Sequence, residues 1–395
     1  MVLHETIVRP RVALILPNLG GGGAERVALA LAHHFVELGQ EVDIVLLDGG
    51  GELKALVPTQ ARIIELGAKR LRSALLPLAR YFRKRRPDAT QAFMWPVTVL
   101  AVIAHRLAGR PGRLVISDHA TLSNQYGPRR TLLRATTRLF YSAADERICV
   151  SDDVADDLVM LSGLKPDSIK VIPNPIVVPT SAPRNSQEPD KLWPAGGRRI
   201  LTVGNLKPEK NHALLIQAIG ILAQSEPVVL LILGEGPLRS KLEELIVDLN
   251  LADRITMPGF FLDPWPFYDS ADLFVLSSDF EGYGLVLVEA LHSGLRIVST
   301  RCPGGPGKIL EGGRYGRLVP VGDAAELARA IGEALGECPT PETARRRAEE
   351  LSAGACSAHE WLMFGLSAGT PLCSNVVRTK NQGCLQDQGK PPDLL

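Results

Sequence analysis

A chain of 395 residues with 45% hydrophobic but only 5% aromatic residues is too long for one small core and suits two α/β domains built on Val, Leu, Ala and Ile. Its formal net charge of +1 excludes the globally basic balance of a nucleic-acid binder. Six cysteines without CxxC or Cys/His spacing argue against structural zinc, and no run approaches the ~18 apolar residues of a membrane span. The N-terminal stretch carries Glu5 and lacks an apolar signal core. The expectation is a cytoplasmic chain, peripheral at most on the inner face of the plasma membrane.

Residues 12–16 (Val-Ala-Leu-Ile-Leu) read as a buried strand of the parallel type. The glycines of 20–23 follow, then a helical pattern to about Leu38, ended by Gly39, and a second strand over 42–47. In this βαβ unit Gly20-x-Gly22 resembles a dinucleotide fingerprint, with Asp48 placed to meet a ribose. Glu25 stands where the third glycine belongs, which makes an NAD-dependent dehydrogenase the weakest reading. What survives is a helix N-terminus with uncovered amides suited to any phosphate, with Gly22 and Gly23 as candidate contacts.

Strands are expected near 61–66, 89–93, 114–117, 146–150 and 170–172, alternating with helices, so the first 178 residues read as a doubly wound sheet. Two basic stretches interrupt the even charge balance. Lys69, Arg70, Arg72, Arg80, Arg83, Lys84, Arg85 and Arg86 contain no acid between them, and Arg129, Arg130, Arg134 and Arg138 interleave with Leu132, Leu133, Leu139 and Phe140. They are either solvated helix faces or a surface for anionic lipid, with the balance slightly toward lipid. Asp118-His119 ends the strand over 114–117, which aims His119 at a cleft, to bond a sugar hydroxyl or neutralise charge.

From Pro173 to Pro194 six prolines among Ser, Asn and Thr are linker chemistry, placed at 179–198. A second α/β series occupies 199–352, with strands expected over 199–203, 228–233, 254–257, 273–276, 296–299 and 316–319. Two such halves create a cleft between the C-terminal ends of two parallel sheets, where open sheets bind ligands. Residues 353–395 lose helical periodicity and read as a poorly ordered tail.

Chemistry concentrates in the second half. Gly204, Asn205, Lys207 and Lys210 link a strand to a helix, where cations can meet a diphosphate; Lys210 is favoured for this and Lys207 reads as a solvated turn. Gly236 ends a strand at the cleft floor, and Phe260 lies in a strand-end loop able to border a nucleobase. Gly305, in Cys302-Pro-Gly-Gly305-Pro306, would let backbone approach a bound sugar or diphosphate. Glu281 lies in the turn Glu281-Gly-Tyr283-Gly284-Leu285, and Glu289 eight positions on falls inside a helix starting near Gly284. That helix start puts N–H groups and a positive dipole end beside one of two carboxylates, an arrangement suited to sugars and phosphates.

In order, these motifs resemble the retaining glycosyltransferases of the GT-B fold that carry an E-x7-E motif, the family 4 (group 1) type. The resemblance runs from about Val12 to Val321. It implies an α/β, GT-B architecture with two doubly wound Rossmann-like domains facing a central cleft. By resemblance, Glu289 would accept the donor ribose hydroxyls, Glu281 would contact the donor sugar near its reactive carbon, and Lys210 would bind the diphosphate of the leaving nucleotide. His119 would lie near the donor sugar. The implied activity moves a hexose or N-acetylhexosamine from a nucleotide diphosphate sugar, UDP-linked on the Cys-Pro-x-Gly-Pro variant, to a lipid-linked or cell-surface glycan. No cofactor or metal is expected, since no D-x-D triplet occurs.

Three departures favour an alternative, a catalytically impaired nucleotide- or glycan-binding scaffold. Asn205 replaces the family's usual arginine, and Lys308 stands where an acid is normal. The tail does not show the helix that usually crosses back onto the first domain.

Overall fold

The computed structural model describes residues 10–176, 189–338 and 340–365. Seven strands form the first sheet: β1 (Arg11–Leu16), β2 (Glu41–Leu46), β3 (Arg62–Glu65), β4 (Ala89–Phe93), β5 (Arg113–Asp118), β6 (Glu146–Cys149) and β7 (Lys170–Val171). They are parallel throughout, in the order β3-β2-β1-β4-β5-β6-β7. The second sheet holds β8 (Arg198–Val203), β9 (Val228–Leu233), β10 (Ile255–Gly259), β11 (Leu273–Leu276), β12 (Arg296–Thr300) and β13 (Arg317–Val319), also parallel, ordered β10-β9-β8-β11-β12-β13. Strand order reverses between β1 and β4 and again between β8 and β11, and it is beyond the C-terminal ends of such strands that a crevice opens.

The apolar runs explain the layers. All six residues of β9 are buried, with Val228, Leu230 and Ile232 in one core and Val229, Leu231 and Leu233 in the other. A period of two with both faces apolar is what a central parallel strand requires. The helix Gly23–Glu37 follows β1 directly and stops at Gly39, whose φ of 76° a side chain would resist.

Two expectations need correction. The proline-rich stretch is not free linker at its end: Trp193 is buried, its Nε1 donates to Ser270 Oγ at 3.0 Å, and the Arg199 guanidinium lies 5.5 Å over its ring. Residues 177–188 lie outside the described residues. Nor does the tail begin at 353. Helix Pro341–Ser352 packs on helix Leu285–His292 of the second domain, and helix Ala355–Phe364 then lies against β4, β5 and helix Gly23–Glu37 of the first. His359 and Met363 are fully buried there. A helix this short, enclosed by Gly354 and Gly365 and touching several elements, has no clean polar face to display in the sequence. The expected tail beyond it, 366–395, lies outside the described residues.

Candidate active site

A cleft of about 520 Å³ lies between the two sheets. Glu281, His119, Lys210, Glu289, Gly22, Gly23, Gly204, Asn205, Lys207, Phe260, Tyr283, Gly284 and Leu285 all line it. Gly236 and Gly305 do not. Their absent Cβ atoms make room for backbone instead: a Cβ on Gly236 would fall 2.6 Å from Leu206 O, and one on Gly305 1.8 Å from Tyr283 O. Both glycines shape the wall from behind.

Glu281 follows β11 and is buried. Lys210 Nζ donates to both of its oxygens, at 2.7 and 2.9 Å, and Ser278 Oγ donates to Oε1 at 2.6 Å. The lysine comes from the turn after β8, and that turn is pinned to Glu281's own loop. Ser277 Oγ donates to Lys210 O at 3.0 Å, Asp279 N to Glu209 O at 2.9 Å, and Asn211 Nδ2 to Asp279 Oδ1 at 2.8 Å. Asn211 sits at a φ of 43° and caps helix His212–Leu222 through its side chain. This combination suits asparagine better than most residues. A cation is thereby fixed against a buried carboxylate, with an exposed edge left for an anion.

Gly284, at a φ of 92°, starts the helix Leu285–His292 as expected, and Glu289 lies within that helix. Sequence reasoning missed its partner: Tyr268 OH donates to Glu289 Oε2 at 2.8 Å, leaving Oε1 for a ligand hydroxyl. Ser278 was missed too, although a Ser-Ser pair directly after an apolar strand was visible. The glycine loop differs from expectation. Glu25 folds back so that a Cβ on Gly22 would lie 2.4 Å from its Oε2, and desolvation raises its pKa against the backbone N–H that lowers it. The Glu25 carboxyl thus lies against the glycine loop, within reach of its own backbone N–H. Gly21 and Gly23 instead face the second domain, where Cβ atoms would meet the Phe260 ring at 2.6 Å and Leu285 Cδ1 at 3.4 Å.

His119 stacks on Phe93, ring centroids 5.4 Å apart, and its Nε2 lies 3.1 Å from Ser117 Oγ. Burial, with a smaller contribution from His359, pushes the imidazole down to about 3, so it works as a neutral hydrogen-bonding group and not as a cation. Beside it, Asp118 is fully enclosed and accepts from Tyr141 OH at 3.1 Å; burial raises its carboxyl to about 7. Between about pH 4 and 7 the folded state therefore holds a proton that the unfolded chain has released, and stability falls as pH rises through that window. Asp118→Asn removes this penalty. Its Tm relative to the parent is expected to rise by several degrees more at pH 8 than at pH 5, and calorimetry at both values checks it.

Lys308 is not among the residues that line the cleft. Its Nζ pairs with Asp152 Oδ2 at 2.7 Å across the domain boundary, next to Gly304 N donating to Asp153 Oδ2 at 2.5 Å. Asp48 lies two residues beyond β2 and is not among the residues that line the cleft. No cluster of His, Cys, Asp or Glu that could hold a metal occurs among the described residues.

The family model for glycosyl transferases group 1 matches residues 183–351, and that for glycosyltransferase family 4 matches 21–178. The chain belongs to the group 1 glycosyltransferases. A Campylobacter jejuni relative, N-acetylgalactosamine-N,N'-diacetylbacillosaminyl-diphospho-undecaprenol 4-alpha-N-acetylgalactosaminyltransferase, is 27% identical over 81% of this chain and 89% of its own. The lipopolysaccharide core biosynthesis glycosyltransferase LpsD of Rhizobium meliloti is 28% identical over 78% and 84%. Among solved structures, Anabaena HepE in complex with UDP-glucose superposes with a TM-score of 0.72 at 21% identity, covering 89% of this chain and 99% of that one. For this glycosyltransferase the likeness fixes the GT-B fold, two Rossmann-like domains about the cleft.

Proposed function

We propose that this glycosyltransferase moves a hexose or N-acetylhexosamine from a UDP-linked donor to a lipid-linked or cell-surface glycan, with retention of configuration. The observation that carries the reading is the pairing of Lys210 with buried Glu281 at the mouth of a helix N-terminus, with Glu289 one oxygen free in the same cleft. Glu289 accepts the ribose hydroxyls. Lys210 and Lys207 receive the diphosphate, a fixed charge in the part that a divalent ion plays elsewhere. As the sugar C1–O bond breaks, its electron pair goes to the diphosphate beside Lys210. The acceptor hydroxyl oxygen bonds C1 and its proton leaves with the nucleotide or to solvent. The UDP-glucose complex of the Anabaena fold neighbour and the diphospho-undecaprenol acceptor in the Campylobacter relative's name support these two substrate classes. A panel of UDP-, GDP- and ADP-sugars, with nucleotide release followed beside Glu281→Ala, tests it. Release from a UDP-sugar, lost in the variant, is expected; release from a GDP- or ADP-sugar alone overturns the donor assignment.

The acceptor side explains the basic stretches. Helix Arg130–Phe140 buries Leu133 and Thr137 but leaves Leu132 and Leu139 52% and 65% exposed among exposed Arg129, Arg130, Arg134 and Arg138. Trp95 of the cleft wall donates from Nε1 to Thr136 Oγ1 of this helix at 3.1 Å, so the surface adjoins the cleft. An anionic membrane surface is the proposed partner. The stretch from Lys69 to Arg86 contributes less than its charge suggests, because Arg85 is half-buried and donates to Asp43 at 3.0 Å. No helix among the described residues is long and apolar enough to cross a membrane. Arg130→Ser/Arg134→Ser/Leu139→Ser is expected to weaken binding to phosphatidylglycerol-containing vesicles by about tenfold or more, at roughly 1 kcal/mol per basic residue. Vesicle co-sedimentation reads this, and equal binding to neutral phosphatidylcholine vesicles would remove the membrane part.

A further inference from the structure

His119 is connected through the body of the first sheet to the helix that crosses back from the second domain. Its Nε2 lies 3.1 Å from Ser117 Oγ, Gln91 Nε2 donates to the same oxygen at 3.2 Å, and Gln91 Oε1 lies 3.0 Å from His359 Nδ1. Ser117, Gln91 and His359 are each fully buried. A chain of polar side chains in a dry interior has a direction, because each member must match donor to acceptor.

That direction can be worked out from the far end. The carbonyl oxygen of Gln91 only accepts, so His359 Nδ1 carries its proton. The amide nitrogen only donates, so Ser117 Oγ accepts from it and keeps one proton of its own to give. Two acceptors compete for that proton, His119 Nε2 at 3.1 Å and Ala92 O at 3.4 Å, and the nearer one is favoured. His119 Nε2 then carries the lone pair and Nδ1 the hydrogen. Nδ1 is a buried ring nitrogen with no hydrogen-bond partner among the described residues. The stack on Phe93 holds the ring in this plane.

We infer that His359 is a positioning residue for sugar transfer: through Gln91 and Ser117 it fixes His119 as the Nδ1–H tautomer, whose N–H finds its acceptor in a polar atom of the bound sugar donor. This rests on the glycosyltransferase reading for the identity of the donor but not for the tautomer. The crossing helix is thus more than a clasp, since it brings to the first domain the group that sets the proton on a cleft residue.

Long-range 1H–15N spectra of the full chain labelled with 15N-histidine test the inference, with His119→Gln used to assign the His119 signals. The parent is expected to show His119 as the neutral Nδ1–H tautomer between pH 6 and 8. Gln91→Leu and His359→Phe should convert it to the Nε2–H form and lower kcat by about tenfold to a hundredfold, with KM for the donor nearly unchanged. His359→Asn, which keeps a donor facing Gln91 Oε1, should restore both tautomer and kcat. An Nε2–H tautomer in the parent overturns the inference, and so does a tautomer that His359→Phe leaves unchanged. If all three variants only lower Tm and leave the tautomer alone, the chain of contacts is packing and nothing more. Should no sugar donor turn over, the spectra still decide the tautomer, so failure of the proposed function and failure of the relay are told apart.

Discussion

Lys210→Ala is expected to lower kcat for sugar transfer by about 10²- to 10⁴-fold, and Glu281→Gln by a similar factor, yet the double variant should be little worse than either alone. The reason is the geometry of the pair. Lys210 Nζ holds both oxygens of a carboxylate that is itself buried, and among the described residues only Ser278 Oγ shares the load. Without the lysine, Glu281 is a buried charge with a single hydrogen bond, an arrangement that costs a few kcal/mol. Without the carboxylate, the ammonium loses the anchor that holds it toward the leaving diphosphate. Each single change therefore spoils the other residue, and non-additivity is the signature. Single-turnover kinetics with saturating donor separate this from weakened binding. Fully additive losses would mean that the two residues act apart, with Lys210 on the diphosphate and Glu281 on the sugar. Lys210→Arg is no rescue, because a planar fork cannot occupy a point contact already tuned to an ammonium.

Which parts of this site were legible follows from how local each signal is. The strands over 228–233 and 273–276 appear with the expected limits because they are uninterrupted apolar runs, and 89–93 does so although Thr90 and Gln91 break its apolar run. The Gly284 helix start and the loops after β1, β5, β8 and β11 were visible as turn chemistry at strand ends, and the alternation of elements then brings those ends to one cleft. What remained hidden depends on residues far apart in sequence. Tyr268 meets Glu289 across 21 positions, and Lys308 finds Asp152 across 156. His359 reaches Gln91 across 268. No periodicity encodes such a pairing, since it exists only once two sheets have formed and faced each other. Lys308 shows the consequence well. Read alone it bears on the donor site, yet it is not among the residues that line the cleft, and its amine pairs with an exposed acid of the opposite domain. Glu25 shows the converse, as a residue that looked like a missing glycine folds its carboxyl back against the glycine loop.

Gly282→Ala should abolish most transfer while leaving the fold intact, and it isolates the role of domain approach. Gly282 lies in the second domain between the two site residues Glu281 and Tyr283, and a Cβ there would fall 1.9 Å from the His119 carbonyl oxygen and 3.1 Å from Ala120 Cα. Those atoms belong to backbone of the first domain and cannot rotate aside. No left-handed φ is required at this position, so alanine is tolerated by the local chain and the cost falls wholly on the contact between domains. A single methyl group should hold the cleft open by an ångström or more, admitting water and pulling His119 away from the donor sugar. Displacements of that size cost about 10²-fold in rate. The expected result is a loss of at least that size in kcat, with Tm shifted by no more than a few degrees. UDP affinity should fall less than kcat, because Glu289, Lys210 and Phe260 all lie on the second domain and keep their places. Transfer at the parent rate would show that catalysis occurs with the domains further apart than in this structure, and that His119 acts without touching the Glu281 loop. Loss of UDP binding in equal measure would instead place the nucleotide against the first-domain loop at Gly21 and Gly23, where the ring of Phe260 and the side chain of Leu285 already meet it.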